Sequence, residues 1–193
     1  MTVLPGIGAA PRVLDAEALT RTVKRLAHEI RERHPGLDGV VLCGVRTRGV
    51  PLAMRTAALL AALGDPPPPV AALDLRDYRD DRPRPVSPRP GALTAADAVG
   101  PPPVVDGAVV IVVDDVLFTG RTLRAALDAL DDHGRPGAVE LLVLVDRGHR
   151  ELPVRATYVG KNVPTAADER VAVRLREVDG VDGAWLVRNG GGA

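Results

Sequence analysis

The doublet Asp114-Asp115 closes the most hydrophobic run of the chain, AVVIVV at 108–113. A short turn then leads through Thr119-Gly120-Arg121-Thr122 into an Ala/Leu-rich stretch. A buried strand that ends on two carboxylates and turns through glycine into a helix sets acids beside free N–H groups. In an open parallel sheet, ligands bind beyond the carboxyl ends of the strands, where these acids fall. Gly120 lets the backbone come close to a ligand, and the first amides of the helix form an anion cradle to which Thr119 and Thr122 add hydroxyl donors. Carboxylates repel phosphate itself, so Asp114 and Asp115 suit sugar hydroxyls or a phosphate-bound Mg²⁺. The chemistry this predicts is the binding of a sugar phosphate. A lone Asp-Asp or Thr-Gly also occurs wherever a strand ends and a helix is capped. It is the whole string that points to a site.

The surrounding pattern supplies the elements that must position it. From Asp15, residues Leu19, Val23, Leu26, Ala27 and Ile30 recur at helical spacing, up to Pro35-Gly36. GVVLCG then reads as a strand, 50–63 as a helix closed by Gly64, and VAALDL as a second strand. After AVVIVV come a helix from 120 to 132 and the strand AVELLVLV at 138–145, while ATYVG and AWLV read as additional, edge-type strands. Strands alternating with helices of this length predict an α/β fold with a mainly parallel central sheet flanked by helices. Eleven of the 18 prolines fall between residues 64 and 107, so 79–107 is read as a long exposed loop inside a single domain spanning 1–193.

Composition narrows the function classes. Twenty-five Lys+Arg balance 25 Asp+Glu, which excludes a whole-molecule basic field. With only Phe118, Trp185, Tyr78 and Tyr158, a surface of stacked aromatic rings for bases is not expected. The single cysteine, Cys43, excludes an internal disulfide and a cysteine metal cage. His28-Glu29 and His34 lack the four-residue histidine spacing of a zinc-protease helix, and no direct metal site is read there. Without a long apolar run or an export-type N-terminus, no membrane contact and a cytoplasmic location are expected.

The string VVIVVDDVLFTGRT resembles the phosphoribosyl-pyrophosphate (PRPP) signature of the type I phosphoribosyltransferases. Together with VLCGVRTRGVPLA, LDLRDYRDD and VLVDRGHRELPVRATYVGKNVPT, it is similar to the PyrR family, regulators of pyrimidine operons that are also uracil phosphoribosyltransferases. The resemblance departs at Arg76 and Asp77, where that family often has a small polar and an apolar residue, and at Phe118, which replaces a common tyrosine. It implies a type I phosphoribosyltransferase fold with a small hood and a long flexible loop, and conversion of uracil and PRPP to UMP and pyrophosphate, with Mg²⁺ arriving as the PRPP chelate. By the same resemblance, Asp114 and Asp115 would hold the ribose hydroxyls, and Thr119, Gly120, Arg121 and Thr122 the 5′-phosphate. Arg46, Thr47 and Arg48 would form the pyrophosphate loop, with Arg48 and Arg79 taking the charge of the leaving group. Tyr78, Arg79, Asp80 and Asp81 would root the loop that closes over PRPP. The segment Val159-Gly160-Lys161-Asn162-Val163 would be the hood over uracil, with Arg147 flanking the base.

Opposite the apolar stripe of the first helix stand Arg21, Lys24, Arg25 and His28. By spacing alone they fit a solvated face. The resemblance makes them, with His149, Arg150 and Arg155, candidates for contact with the mRNA leader of pyrimidine genes, and it implies a homodimer or higher oligomer. Three readings remain open on sequence: an enzyme with an RNA site, a nucleotide-sensing regulator with negligible turnover, and a phosphoribosyltransferase for another base.

Overall fold

Asp15 starts the first long helix as its sequence predicts. Its carboxylate accepts the Ala18 amide at 2.7 Å, and the helix runs over Ala16–Arg33 (α1), with Leu19, Val23, Leu26, Ala27 and Ile30 buried. The computed structural model describes residues 7–8, 10–78, 92–97 and 101–188. In chain order the remaining elements are β1 (Arg12–Leu14), which precedes α1, then β2 (Val40–Val45), α2 (Gly49–Ala62), β3 (Val70–Leu73), β4 (Leu93–Ala95) and β5 (Val109–Leu117). They continue with α3 (Arg121–Asp131), β6 (Ala138–Asp146), β7 (Tyr158–Asn162), β8 (Glu169–Arg174), α4 (Arg176–Asp179) and β9 (Gly183–Arg188).

Six strands form the main sheet in the order β4-β3-β2-β5-β6-β7, parallel throughout except for β4, which runs antiparallel to β3. Both faces are covered, and the strand sequences explain how. In β5, Ile111 and Val113 enter one apolar cluster with α1 and α2, while Val110 and Val112 enter a second with α3. A strand buried on both faces must be apolar at every position, which is why AVVIVV carries no polar alternation. Cys43 lies in the second cluster, and burial pushes its thiol up to about 12, leaving it neutral and inert. The second sheet, β1-β9-β8, is antiparallel and joins the two ends of the described chain.

One sequence expectation is corrected here, and two others are placed on the fold. Within 79–107, read as loop, Leu93–Ala95 form an edge strand with Leu93 and Ala95 buried, because two apolar residues at period two can complete the sheet beside β3. Segment 159–163, read as the hood, is largely β7, the edge of the main sheet. Tyr78, read as part of the closing loop, is a core residue 8% exposed whose hydroxyl donates to Asp132 at 2.6 Å. Arg79, Asp80 and Asp81 lie outside the described residues.

Candidate active site

After β2 the chain order moves outward through β3, and after β5 it moves the other way through β6 and β7. The carboxyl ends of β2 and β5 therefore flank the point where the order reverses, and a crevice opens there. It is a cleft of about 1190 Å³ lined by Arg46 and Thr47 from the end of β2, Asp74 to Arg76 beyond β3, and Asp114 and Asp115 on β5. Phe118, Thr119, Arg121, Thr122 and Glu151 complete it. Arg46, Thr47, Asp114, Asp115, Thr119, Arg121 and Thr122 were all expected from sequence, and the fold brings them together.

The floor depends on close backbone packing. A Cβ on Gly49, the first residue of α2, would stand 2.1 Å from the Val113 carbonyl oxygen, so α2 can start against β5 only from glycine. The Arg46–Thr47 peptide in the preceding turn is cis. Gly120 caps α3 with φ 93°, and a Cβ there would meet Val154 Cγ2 at 2.4 Å. The Thr119–Gly120 turn is held from behind, where the Thr119 carbonyl accepts the amides of Glu151 and Leu152, each at 3.0 Å. The Leu117 carbonyl accepts the Arg147 amide at 3.1 Å. With those carbonyls occupied behind the loop, α3 begins at Arg121, whose amide donates to the Thr119 hydroxyl oxygen at 3.4 Å.

Asp114 and Asp115 share a crowded corner, the Asp115 amide donating to the Asp114 carboxylate at 2.9 Å. Burial, and then the charge of Asp115, raise the Asp114 carboxyl well above the usual carboxylate range. Burial also raises Asp115, against the hydrogen bond with Asp114 and the positive field of Arg48. Two close acids with raised proton affinity are poised to receive hydrogen bonds from neutral donors such as vicinal hydroxyls. Asp74, beside them, is held below its usual value by hydrogen bonding to Arg76 at 2.6 Å. Among the described residues no three His, Cys, Asp or Glu side chains converge as a metal cage.

Around Phe118 the segment after β6 builds a second wall. The Arg147 guanidinium lies 3.9 Å from the Phe118 ring centroid, and the His149 ring meets the same ring edge-on. Arg147 is buried, donates from Nε to the Thr165 hydroxyl at 3.1 Å, and keeps Nη2 without a partner among the described residues.

Several expected contacts fall elsewhere. Arg48, which is not among the cleft-lining residues, gives Asp179 a two-pronged ion pair at 2.9 and 2.7 Å, because α4 offers a buried carboxylate that also takes Arg174. None of residues 159–163 lines the cleft. Lys161 donates to the Val13 carbonyl at 3.0 Å, and the Val159 and Gly160 carbonyls both accept from Arg25, at 3.0 and 2.7 Å. Arg25, also paired with Glu29, therefore ties α1 to β7. Arg150 is committed to the Phe118 carbonyl at 2.8 Å, the Gly148 carbonyl at 3.1 Å and the Asp146 carboxylate. His149 contacts the Thr165 carbonyl at 2.6 Å, and Arg21 pairs with Glu17. Lys24, His28 and Arg155 remain exposed. Asp74, Leu75 and Glu151 were not singled out from sequence, and Arg76 was marked there only as a departure from the family pattern. Asp74 directly follows β3, and the rule that sites form past carboxyl strand ends would have marked it. Glu151 becomes visible only through the tertiary contact between the two loops.

Residues 10–173 match the family described as phosphoribosyl transferase domain, and phosphoribosyltransferases are the class that this sheet and cleft define. The fold is that of the hypoxanthine phosphoribosyltransferase of Trypanosoma cruzi (TM-score 0.68, 17% identity, covering 93% of this chain and 97% of that one). The corresponding enzyme of Staphylococcus aureus matches as well (TM-score 0.68, 18% identity, 92% of each chain). Bifunctional protein PyrR of Roseiflexus sp. (strain RS-1) is 53% identical over 178 residues, 92% of this chain and 94% of that protein. The protein of the same name in Streptomyces coelicolor is 54% identical over 174 residues, 90% and 88% of the two chains. The chain belongs to the PyrR branch of the phosphoribosyltransferase family.

Proposed function

We propose that the protein transfers the phosphoribosyl group of PRPP to uracil, giving UMP and pyrophosphate, and that it binds the RNA leader of pyrimidine genes in response to uridine nucleotides. The observation that carries this reading is the convergence of Asp114, Asp115 and the Thr119–Thr122 turn on one cleft in a chain of the PyrR family. In the reaction the bond from ribose C1 to the pyrophosphate oxygen breaks, a bond from C1 to uracil N1 forms, and the N1 proton is released. Positive charge builds on the sugar and negative charge on the departing pyrophosphate, so positioning and charge complementarity carry the rate. The amides of the turn and the hydroxyls of Thr119 and Thr122 seat the 5′-phosphate, while Asp114 and Asp115 accept from the ribose hydroxyls. Arg46 and Thr47 face the pyrophosphate of the substrate, which enters as its Mg²⁺ chelate. The exposed face of Phe118 supports the flat base, with Arg147 stacked on the same ring.

Incubation with labelled uracil and PRPP is expected to yield UMP, and a panel of bases is expected to favour uracil over hypoxanthine and guanine. A preference for a purine reassigns the base. Absence of turnover at saturating PRPP leaves the sensing reading alone, which the engagement of Arg48 by Asp179 would favour.

The RNA surface is best tested at Lys24 and Arg155, since Arg25 and Arg150 hold backbone carbonyls and their loss would disturb the α1–β7 contact and the Phe118 turn respectively. Replacing Lys24 and Arg155 with glutamine is expected to weaken leader binding about tenfold and to reduce the slope of log affinity against log salt by roughly 0.7 to 0.9 per lost contact. Filter binding at several salt concentrations, with UMP formation as the control, reads both. The protein acts as a homodimer or larger homo-oligomer in this reading, a point that sedimentation settles.

A further inference from the structure

Besides the aspartates of β5, Glu151 brings a carboxylate to the cleft, on the side of the Thr119–Thr122 turn. Its carboxylate receives Arg121 from both Nε and Nη2 at 2.7 Å, and Arg121 is the first residue of α3, where the phosphate-seating amides begin. Both side chains are about half exposed, at 52% each, so the pair is of the solvated kind that contributes little to stability and exchanges readily. The backbone of Glu151 is fixed much more firmly, its amide donating to the Thr119 carbonyl at 3.0 Å. The carboxylate is therefore anchored to the very turn that must take a phosphate and cannot drift far from it.

We propose that Glu151 is a built-in competitor for the ligand's 5′-phosphate, occupying Arg121 in the free protein and thereby setting the nucleotide concentration at which the site fills. This rests on the phosphoribosyltransferase reading of the cleft. An incoming phosphate dianion takes Arg121 from Glu151 because it offers more charge and more acceptor oxygens to the same guanidinium fork. The displaced carboxylate then stands near the bound anion, and its repulsion weakens binding of phosphorylated ligands. A ligand without phosphate neither gains Arg121 nor meets that repulsion. Glu151 thus lowers affinity for UMP and PRPP selectively, which favours product release and moves the response to nucleotide to higher concentration. It also keeps Arg121 oriented over the turn before the ligand arrives.

Isothermal titration of the full chain with UMP, uridine and inorganic phosphate tests this in the wild type and in Glu151→Gln, a neutral isostere at a solvent-exposed position. The expected result is UMP binding about tenfold tighter in the variant, a gain in the same direction for inorganic phosphate, and uridine changed by less than about twofold. Product inhibition by UMP should tighten in parallel. Glu151→Asp keeps the charge and should leave UMP within about threefold of the wild type, separating charge from packing. Unchanged or weaker UMP binding in Glu151→Gln, or an equal gain for uridine, overturns the inference while the cleft's identity stands. A wild-type protein that takes up no UMP overturns both.

Discussion

Asparagine at position 114 is expected to make the free protein more resistant to urea at pH 8 while cutting UMP formation by about a hundredfold or more. Asp114 carries a carboxyl whose proton affinity is raised first by burial and then by the charge of Asp115. In the unfolded chain the same group titrates near ~3.9. Between that value and its raised value in the fold, the native state binds more protons than the unfolded one, so stability falls as pH rises through the window and stays reduced above it. Asp114→Asn removes the ionisation and with it that slope. The gain above the window should be on the order of 1 kcal/mol, typical when strain at a functional site is relieved. Urea melts between pH 4 and 8 would show a flatter profile than the wild type. An amide can still accept a hydrogen bond from a ribose hydroxyl, but it brings no charge to the sugar as C1 becomes cationic, and the rate falls for that reason. A variant that gains stability and keeps its rate would remove Asp114 from the reaction.

Alanine at position 120 should cost both stability and catalysis. Gly120 holds φ 93°, a region where an L side chain is strained by roughly 1–2 kcal/mol, and its Cβ would overlap Val154 Cγ2 at 2.4 Å. Relief requires the turn to move away from the Leu152–Val154 segment, which breaks the bonds from Glu151 and Leu152 to the Thr119 carbonyl. A total loss of about 2–4 kcal/mol in denaturant melts and a rise in KM for PRPP of about a hundredfold are expected. Removing the obstructing methyl groups in the double variant Gly120→Ala, Val154→Ala separates the two causes, because the closest overlap disappears, leaving Leu152 Cβ at 3.3 Å, and the backbone strain stays. Partial recovery of stability is the expected outcome, and full recovery would mean that the left-handed conformation is unimportant.

How far the sequence reached depended on whether a residue's role was local. The order of strands and helices was legible because AVVIVV, VLCG and LLVLV are apolar without interruption, and because the stripe Leu19/Val23/Leu26/Ile30 has a period that only a helix satisfies. The Asp114–Thr122 string was legible because strand, acids and turn are consecutive. β4 was missed because three residues among prolines carry too short a pattern, and only the open edge of β3 gives them a partner. Arg48 was assigned to the pyrophosphate loop by resemblance, and its direction in the free protein is set by Asp179, which is 131 positions away in the chain. The same holds for Arg25 and Arg150. Each looks like a free surface cation in sequence, and each is held by carbonyl oxygens from other elements. Charge can be read from a sequence, but not what neutralises it.

The antiparallel sheet β1-β9-β8 carries a consequence for synthesis on the ribosome. Residues 40–162 contain every strand of the main sheet, so that layer can assemble while later codons are still being read. β1 must wait, since among the described residues its only partner strand is β9, which follows the whole main sheet in the chain. Arg48 must wait too, because Asp179 leaves the exit tunnel after the cleft's other walls are in place. A nascent chain stalled before that point would hold the acidic doublet without the clamp that fixes the neighbouring cation.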